Sequence, residues 1–293
     1  MAQMPSLRAC QDLIGRARRF AYDLGMQPGG TFEGFEEAHP VYSLVVSYPG
    51  AVMTALPGGA PFEMSMDPAS IRRGRKRAAG LAASGLHVHG RSPAAVSGSF
   101  PLTKDLIERP LSALLDIFFH EALHNTRSAR GWGIDYPLEE SLACYVGGRA
   151  SAEFCEREIL PELADECRER ASEWRDYAAL VNLYAEQLAP SFQRGEQRRV
   201  LDAWYEDMRE LTAASVSLKD SIFQRLPKGQ CNNGLMLDKL LYTWYEPLAS
   251  DFLDERPLRE IFAEESCIPA ELQLRTHHPE YAQPYRIALP ARV

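Results

Sequence analysis

Two histidines and a glutamate stand close together in an H-E-x-x-H sequence that runs from His120 to His124. Residues four positions apart lie on the same face of an α-helix, so both imidazoles can bind one Zn²⁺ ion. Glu121 is offset by one residue, so its carboxylate reaches a water activated by the metal without being a ligand. The motif therefore predicts hydrolytic chemistry, with Glu121 as the general base.

Glu140 is the candidate third metal ligand, sixteen residues after His124. It lies near the start of a second predicted helix, where Pro137 suits the first turn. Small residues on the same face, among them Cys144 and Gly147, would let this helix approach the first one closely. Two histidines and one glutamate leave a fourth position for water, as in catalytic zinc sites.

Other interpretations of these residues remain open at this point. Without a metal, the histidines would be core residues beside a surface glutamate. A structural zinc would usually have four protein ligands, often cysteines. Two histidines and one carboxylate also match the ligands of non-heme iron, although an H-E-x-x-H motif that includes its base favours zinc.

Further residues are candidates for supporting roles. Hydrolysis of an amide needs a donor for the oxyanion, and Tyr145, Tyr242 and Tyr245 are candidates, each of which could instead be a core or surface aromatic. Asp135 could orient a ligand histidine through its second ring nitrogen, or could cap the start of the second helix.

Two pairs of polar residues lie outside this cluster. His87 and His89 alternate on a predicted strand and face the same side. They could be solvated histidines or donors to the oxyanion. Asn232 and Asn233 precede a late helix, where they could cap it or line a cleft.

The pattern around the motif predicts the elements that position these residues. Leu111, Leu114, Leu115 and Phe118 form a helical stripe before His120. Helices are expected at residues 5–24, 68–84, 110–128, 137–158, 161–190, 196–225 and 232–252. Strands are expected at 41–46 and 51–56, with a short one from residue 86.

These elements predict one α+β domain that is predominantly α. Residues 1–109 would form a β-containing N-terminal part, and residues 110–268 a helical part that carries the zinc site. Residues 269–293 would be an irregular tail.

Composition restricts the class of protein. The chain has 293 residues, of which 45% are hydrophobic and 25% charged, as in globular proteins. The net charge of −8 comes from acidic residues after position 100, which argues against nucleic acid as a partner.

Targeting and cysteine usage point to the cytoplasm. The stretch from Pro40 to Phe62 lacks charge but is broken by prolines and glycines, so we expect no membrane anchor. No secretory pattern is visible near the N-terminus, and the six cysteines are expected to be reduced. The basic run from Arg72 to Arg77 fits a solvated helix or a phosphate-binding patch.

At the motif the sequence resembles a family of predicted bacterial zinc aminopeptidases in the gluzincin group. That family has a helix ending in H-E-L-A-H-Q, a short loop with an aspartate, and then N-E-S-F-A. The counterparts here are His120 to Asn125, Asp135, and Glu139 to Ala143. The resemblance spans roughly residues 10 to 255, although only the zinc motif and the E-S-x-A helix are specific.

The resemblance implies a zincin-like fold, in which a small N-terminal β-sheet packs on the active-site helix. It also implies Zn²⁺ held by His120, His124 and Glu140. The sequence departs from the family in a shortened loop between residues 56 and 66, and in Ala95 and Val96 where an aromatic residue is expected. It also lacks a G-x-M-E-N-type element that would hold a free α-amine.

Three functions are consistent with the sequence. The first is a zinc-dependent, aminopeptidase-like peptidase acting on peptide or amide bonds. The second is a dedicated tailoring hydrolase acting on a small amide or a peptidyl intermediate. The third is a non-catalytic metal-binding module, which would not need Glu121. The sequence does not indicate the oligomeric state.

Overall fold

Helices make up most of the described chain, which comprises residues 6–219, 221–263 and 266–278 of a computed structural model. Two small β-sheets complete it, which confirms the predominantly helical α+β class. The described helices are α1 (Leu7–Leu24), α2 (Pro68–Ala83), α3 (Lys104–Ile107), α4 (Leu111–Arg130), α5 (Tyr136–Arg157), α6 (Pro161–Arg194), α7 (Gln197–Ala214), α8 (Ile222–Arg225), α9 (Asn233–Thr243), α10 (Glu246–Leu253), α11 (Leu258–Ile261) and α12 (Ile268–Arg275). The described strands are β1 (Phe35–Glu36), β2 (Tyr42–Ser47), β3 (Glu63–Ser65), β4 (His87–Arg91) and β5 (Leu102–Thr103).

Backbone contacts divide the described chain into two units, each built from separate segments. Unit 1 comprises residues 6–39, 94–174, 245–263 and 266–278, and unit 2 comprises residues 40–93, 175–219 and 221–244. The boundary between residues 174 and 175 falls within α6. The single domain inferred from the sequence stays a prediction.

In unit 1, α4 and α5 form an antiparallel helical hairpin that contains the H-E-x-x-H motif. Helix α4 ends at Gly131, which has the left-handed φ of 64° that favours glycine. Asp135 is the N-cap residue of α5, and Pro137 lies in its first turn, as the sequence predicted. The short connection between these two signals makes α4 and α5 antiparallel neighbours.

Gly147 allows the two helices to approach each other closely. A Cβ atom added there would lie 2.8 Å from the backbone oxygen of Asp116 and 3.5 Å from Cβ of His120. A helix with a side chain at this point could not keep the same distance from α4. The prediction that small residues on α5 permit close contact is confirmed at this glycine.

An aromatic cluster fixes α4 in the core of unit 1. Phe119 of α4 lies between Phe20 of α1 and Phe154 of α5, with ring centroids 5.9 and 6.2 Å apart. Phe20 and Phe154 also contact each other, at 5.7 Å. Burial of each ring contributes roughly 1.5–3 kcal/mol, so three helices are held together beside the motif.

The larger sheet lies in unit 2, in the order β3-β2-β4, with both pairs antiparallel. The central strand β2 is buried throughout, and one of its faces packs with Ile71 of α2. Helix α9 contacts β2 and β4. It begins at Asn232, whose side-chain oxygen accepts a hydrogen bond from the N–H of Leu235 at 3.0 Å. The capping role inferred for Asn232 is thus confirmed.

Several predicted boundaries are wrong. The expected strand at 51–56 is a turn with one isolated bridge, because the hydroxyl of Ser47 binds the backbone of Ala51 and Met53. The expected helix at 196–225 is split into α7 and α8, with the Ser215 hydroxyl accepting from Leu218 N–H in the break. The expected helix at 232–252 ends at Thr243 and restarts as α10.

The prediction of an irregular C-terminal tail is also wrong in part. Residues 268–275 form α12, where the sequence predicted irregular chain from residue 269, while residues 279–293 lie outside the described residues. All six cysteines are free, as expected. Within the described chain, no helix has the length and the apolar character that crossing a membrane requires.

The close approach at Gly147 generates a stability prediction. Gly147→Ala should destabilise the protein by about 1–3 kcal/mol, because the new methyl group overlaps the backbone oxygen of Asp116. Gly80→Ala is the control, since a Cβ atom there meets nothing within 4 Å on helix α2, and this change should stabilise by up to about 1 kcal/mol. Urea unfolding with a chelator present measures both. Equal stability of the two variants would contradict the close-packing argument.

Candidate metal centre

Three side chains of unit 1 converge on one point between α4 and α5. Nε2 of His120 and Nε2 of His124 are 3.2 Å apart. Oε2 of Glu140 lies 3.3 Å from the first of these nitrogens and 3.5 Å from the second. The three atoms form a nearly equilateral triangle, as the sequence predicted for this set of residues.

The register of the hairpin explains why these residues meet. His124 lies opposite Glu140 on the antiparallel helix, and His120, one turn earlier, lies opposite Cys144, one turn later. One turn further along, Asp116 lies opposite Gly147. The spacing of sixteen residues between His124 and Glu140 is therefore set by the connection and the first turn of α5.

The triangle fits a tetrahedral metal ion. With metal–ligand bonds of about 2.0–2.1 Å, a tetrahedral ion places its ligand atoms about 3.4 Å apart, close to the three distances observed. In the described chain, Oε2 of Glu140 is buried and has no hydrogen-bond partner. A buried carboxylate oxygen without a donor is costly, and a cation at the centre of the triangle would satisfy it.

The outer ring nitrogens of the two histidines face different partners. Nδ1 of His124 lies 2.8 Å from Oε1 of Glu139, whose other oxygen lies 3.3 Å from Nε of Arg127. Nδ1 of His120 lies 3.7 Å from Sγ of Cys144. In the neutral ring that binds a metal, a carboxylate beside Nδ1 favours the proton on that atom, which leaves the Nε2 lone pair directed to the centre.

Sequence reasoning gave the orienting role to Asp135, and the structure does not support that assignment. Nε2 of Gln273 donates to the Asp135 carboxylate at 2.9 Å, and the Asp135 N–H donates to the amide oxygen of Gln273 at 2.6 Å. Glu139 takes the place beside His124 instead. The sequence signal that could have identified Glu139 is its position directly before Glu140 at the start of α5.

The ionisable groups of the triangle influence each other strongly. Burial alone would raise the pKa of Glu140, but the nearby imidazoles, that of His124 first, bring this pKa well below its usual range through their charge. Burial opposes protonation of His124, yet Glu140 and Glu139 raise its pKa well above the ordinary value. Burial and the nearby carboxylates, Glu140 first, raise the pKa of Cys144, so its thiol stays protonated.

Glu121 lies next to the triangle on α4. Its side chain is buried, and its negative charge contributes to the raised pKa of His124. The offset from the histidines that the motif predicts is thus preserved in the helix. A buried carboxylate at this place is suited to proton transfer.

Tyr145 has partners that belong to the framework of unit 1. Its hydroxyl donates to Oδ1 of Asp254 and accepts from Arg149, both at 2.9 Å. Burial is the main cause that raises the pKa of Tyr145 to about 12. On α5 this residue lies five positions after Glu140, on a different face of the helix. A catalytic role of Tyr145 stays a prediction.

The two other tyrosines lie in different units. Tyr245 is buried in unit 1, and its backbone N–H donates to the hydroxyl of Ser141 at 3.1 Å. Tyr242 belongs to unit 2, where the guanidinium of Arg91 stacks on its ring at 4.8 Å and donates to its hydroxyl. For both tyrosines the proposed part in catalysis stays a prediction.

The strand histidines of unit 2 are less solvated than the sequence suggested. Nδ1 of His87 accepts from the N–H of Asn233 at 3.2 Å. His89 is buried, with Nε2 at 3.7 Å from Oδ2 of Asp238. Asp238 is fully buried and is contacted at 2.8 Å by both Arg91 and Lys239. These histidines stabilise the contact between β4 and α9.

The fold and the triangle can be compared with known proteins. Two histidines on one helix and a glutamate on the next form a set of ligands that could hold a metal ion. The model of a family described as “Putative aminopeptidase” matches residues 71–264, which is more than half of the chain, and the chain belongs to this family. A comparison with curated proteins finds no significant match, and neither does a comparison with solved structures.

His89 generates a prediction of pH dependence. Burial lowers the pKa of His89 from 6.5 to about 4, so between these values the unfolded chain binds a proton that the folded chain does not. Stability should therefore fall as the pH falls from 6.5 to 4, by about 3 kcal/mol from this group. His89→Gln should flatten this part of a curve of unfolding free energy against pH. His277→Gln, at an exposed position, is the control, and an unchanged slope in His89→Gln would refute the assignment.

Proposed function

We propose that this protein is a zinc-dependent metallohydrolase that cleaves peptide or amide bonds, as an aminopeptidase-like peptidase of the gluzincin type. The observation that carries the proposal is the triangle formed by Nε2 of His120, Nε2 of His124 and Oε2 of Glu140. Membership of the family described as “Putative aminopeptidase” supports the same reaction class.

The three residues of the triangle would hold the ion as its protein ligands. Zinc is favoured because imidazole and carboxylate are ligands that it accepts, and because three protein ligands are typical of its catalytic sites. When bound, the ion supplies a polarised carbonyl and an activated water. Peptides or small amides are the substrates that this chemistry implies.

Glu121 is the residue that moves the proton in this proposal. Its buried carboxylate takes a proton during attack on the amide and gives it to the leaving nitrogen. A site that only binds metal would not need this group, since Glu121 is not one of the three converging ligands. The presence of Glu121 therefore favours an enzyme over a metal-binding module.

Metal content tests the ligand set. Purified wild type and Glu121→Gln should each bind one zinc ion per chain, because Glu121 is not a ligand. His124→Ala and Glu140→Ala should lose most of the metal, since each removes one of three ligands. Inductively coupled plasma mass spectrometry after dialysis measures the content. Full zinc content in both ligand variants would place the metal elsewhere.

Peptide cleavage tests the reaction. Zinc-loaded wild type should cleave members of a diverse peptide library, and Glu121→Gln should cleave them roughly 10²–10⁴-fold more slowly, because the general base is lost. Mass spectrometry of the digest measures both rates. Stepwise loss from N-termini would identify an aminopeptidase, and internal cuts an endopeptidase.

The same digest separates the remaining candidates. Equal cleavage by wild type and Glu121→Gln would exclude Glu121 as the base. No cleavage by zinc-loaded wild type would overturn the general peptidase and leave a tailoring hydrolase with a dedicated small amide as substrate.

A further inference from the structure

The two ligand histidines are supported by groups of different strength, although they lie one turn apart on the same helix. His124 faces a carboxylate, and His120 faces a thiol. Metal sites depend on such supporting groups, because they fix the ring orientation and determine which nitrogen carries the proton. The difference between the two supports is a property of this chain's own residues.

Glu139 contacts His124 at Nδ1, the ring nitrogen that does not face the triangle. The contact between Oε1 and Nδ1 is 2.8 Å, within the range of a charge-assisted hydrogen bond. The side chains of both residues are about nine-tenths buried, so water competes little for this bond. Oε2 of Glu139 lies 3.3 Å from Nε of Arg127, which comes from the same helix as His124. Arg127, Glu139 and His124 therefore form a chain of contacts that ends at the triangle.

Cys144 supports His120 much more weakly. Its sulfur lies 3.7 Å from Nδ1, and sulfur is a poor hydrogen-bond acceptor. The contact restricts the ring by packing more than by hydrogen bonding. Cys144 follows Glu140 by one helical turn, so it lines the same face of α5 and lies beside the triangle.

We infer that Glu139, and not Cys144, is the residue that positions the ligands of this metal site. The inference deepens the proposed function and rests on it, since it concerns how the same three ligands bind the ion. Glu139 holds the Nδ1–H of His124 and so orients the ring with Nε2 toward the centre of the triangle.

A purely structural role for Glu139 makes a different prediction. As an ion pair with Arg127, Glu139 would tie α5 to α4, and its loss would lower stability without a specific effect on the ion. A positioning role acts on zinc affinity and on the tautomer of His124 even where stability is retained. The two roles are therefore separable by measuring affinity, ring state and stability on the same variants.

The experiment compares zinc affinity among matched variants of the whole chain. Glu139→Gln removes the charge and keeps the size, and Glu139→Ala and Cys144→Ala each truncate one support. Glu153→Gln is the control, because Glu153 also lies on α5 and also pairs with an arginine, Arg149, at 3.0 Å. Competition with a chromophoric chelator gives the Kd for zinc, and thermal unfolding of the apo protein reports the fold.

The expected effects differ between the two supports. Both Glu139 variants should bind zinc ~10–100-fold more weakly than wild type, as for lost supporting groups in other metal sites. Cys144→Ala should change the Kd by less than about 3-fold, since only a weak contact is lost. Glu153→Gln should leave it unchanged. Long-range ¹H–¹⁵N spectra of the zinc-bound proteins should show His124 protonated at Nδ1 in wild type and a mixture of tautomers in Glu139→Ala.

Each outcome decides one question. If wild type binds zinc but the Glu139 variants bind it equally well, or if Cys144→Ala is as damaging as Glu139→Ala, the inference is overturned while the proposed function stands. If wild type binds no zinc, the proposed function fails, and this inference fails with it. If Glu139→Ala does not fold, Glu139→Gln and the ring spectra of zinc-bound wild type still answer, and a His124 protonated at Nε2 in that zinc-bound protein would refute the positioning role.

Discussion

The close antiparallel packing of α4 against α5 is the constraint on which the site depends. The hairpin register brings Glu140 opposite His124, and Gly147 removes the side chain that would keep the helices apart. The aromatic cluster around Phe119 also holds these two helices together. If one helix shifted by one residue in this register, its ligands would turn by about 100° around the helix axis and the triangle would not form. Core packing and site geometry are thus the same requirement.

Electrostatics gives an independent reason to expect a cation. Glu121, Glu139 and Glu140 are all buried around the two histidines, and Arg127 pairs with Glu139. Buried carboxylates are costly, and a divalent ion would supply positive charge where the three ligand atoms meet. Distance and charge therefore lead to the same conclusion about the site.

The ligands and the helices that carry them could be predicted from the sequence, because both depend on local spacing. His120 and His124 share a face on any helix, and Glu140 needs only a short turn before it. The partner of His124 Nδ1 could not be predicted, because it depends on how α4 and α5 cross. The sequence therefore indicated Asp135 for this role, which Glu139 takes in the structure. The break before α10 was missed although Pro247 marks it, because a proline in the first turn lacks the N–H that would continue the preceding helix.

A comparison of two buried histidine–carboxylate clusters shows what separates a structural contact from a metal site. In unit 2, burial is the main cause of the lowered pKa of His89, and Asp238 is compensated by two cations at 2.8 Å, Arg91 and Lys239. In unit 1, two imidazoles direct their Nε2 atoms at Glu140, whose Oε2 lacks a hydrogen-bond donor within the described chain. Both clusters combine a buried carboxylate with imidazole. A carboxylate that already pairs with an arginine and a lysine has no need of an ion, whereas one that faces two imidazoles completes a set of ligands that could hold a metal ion.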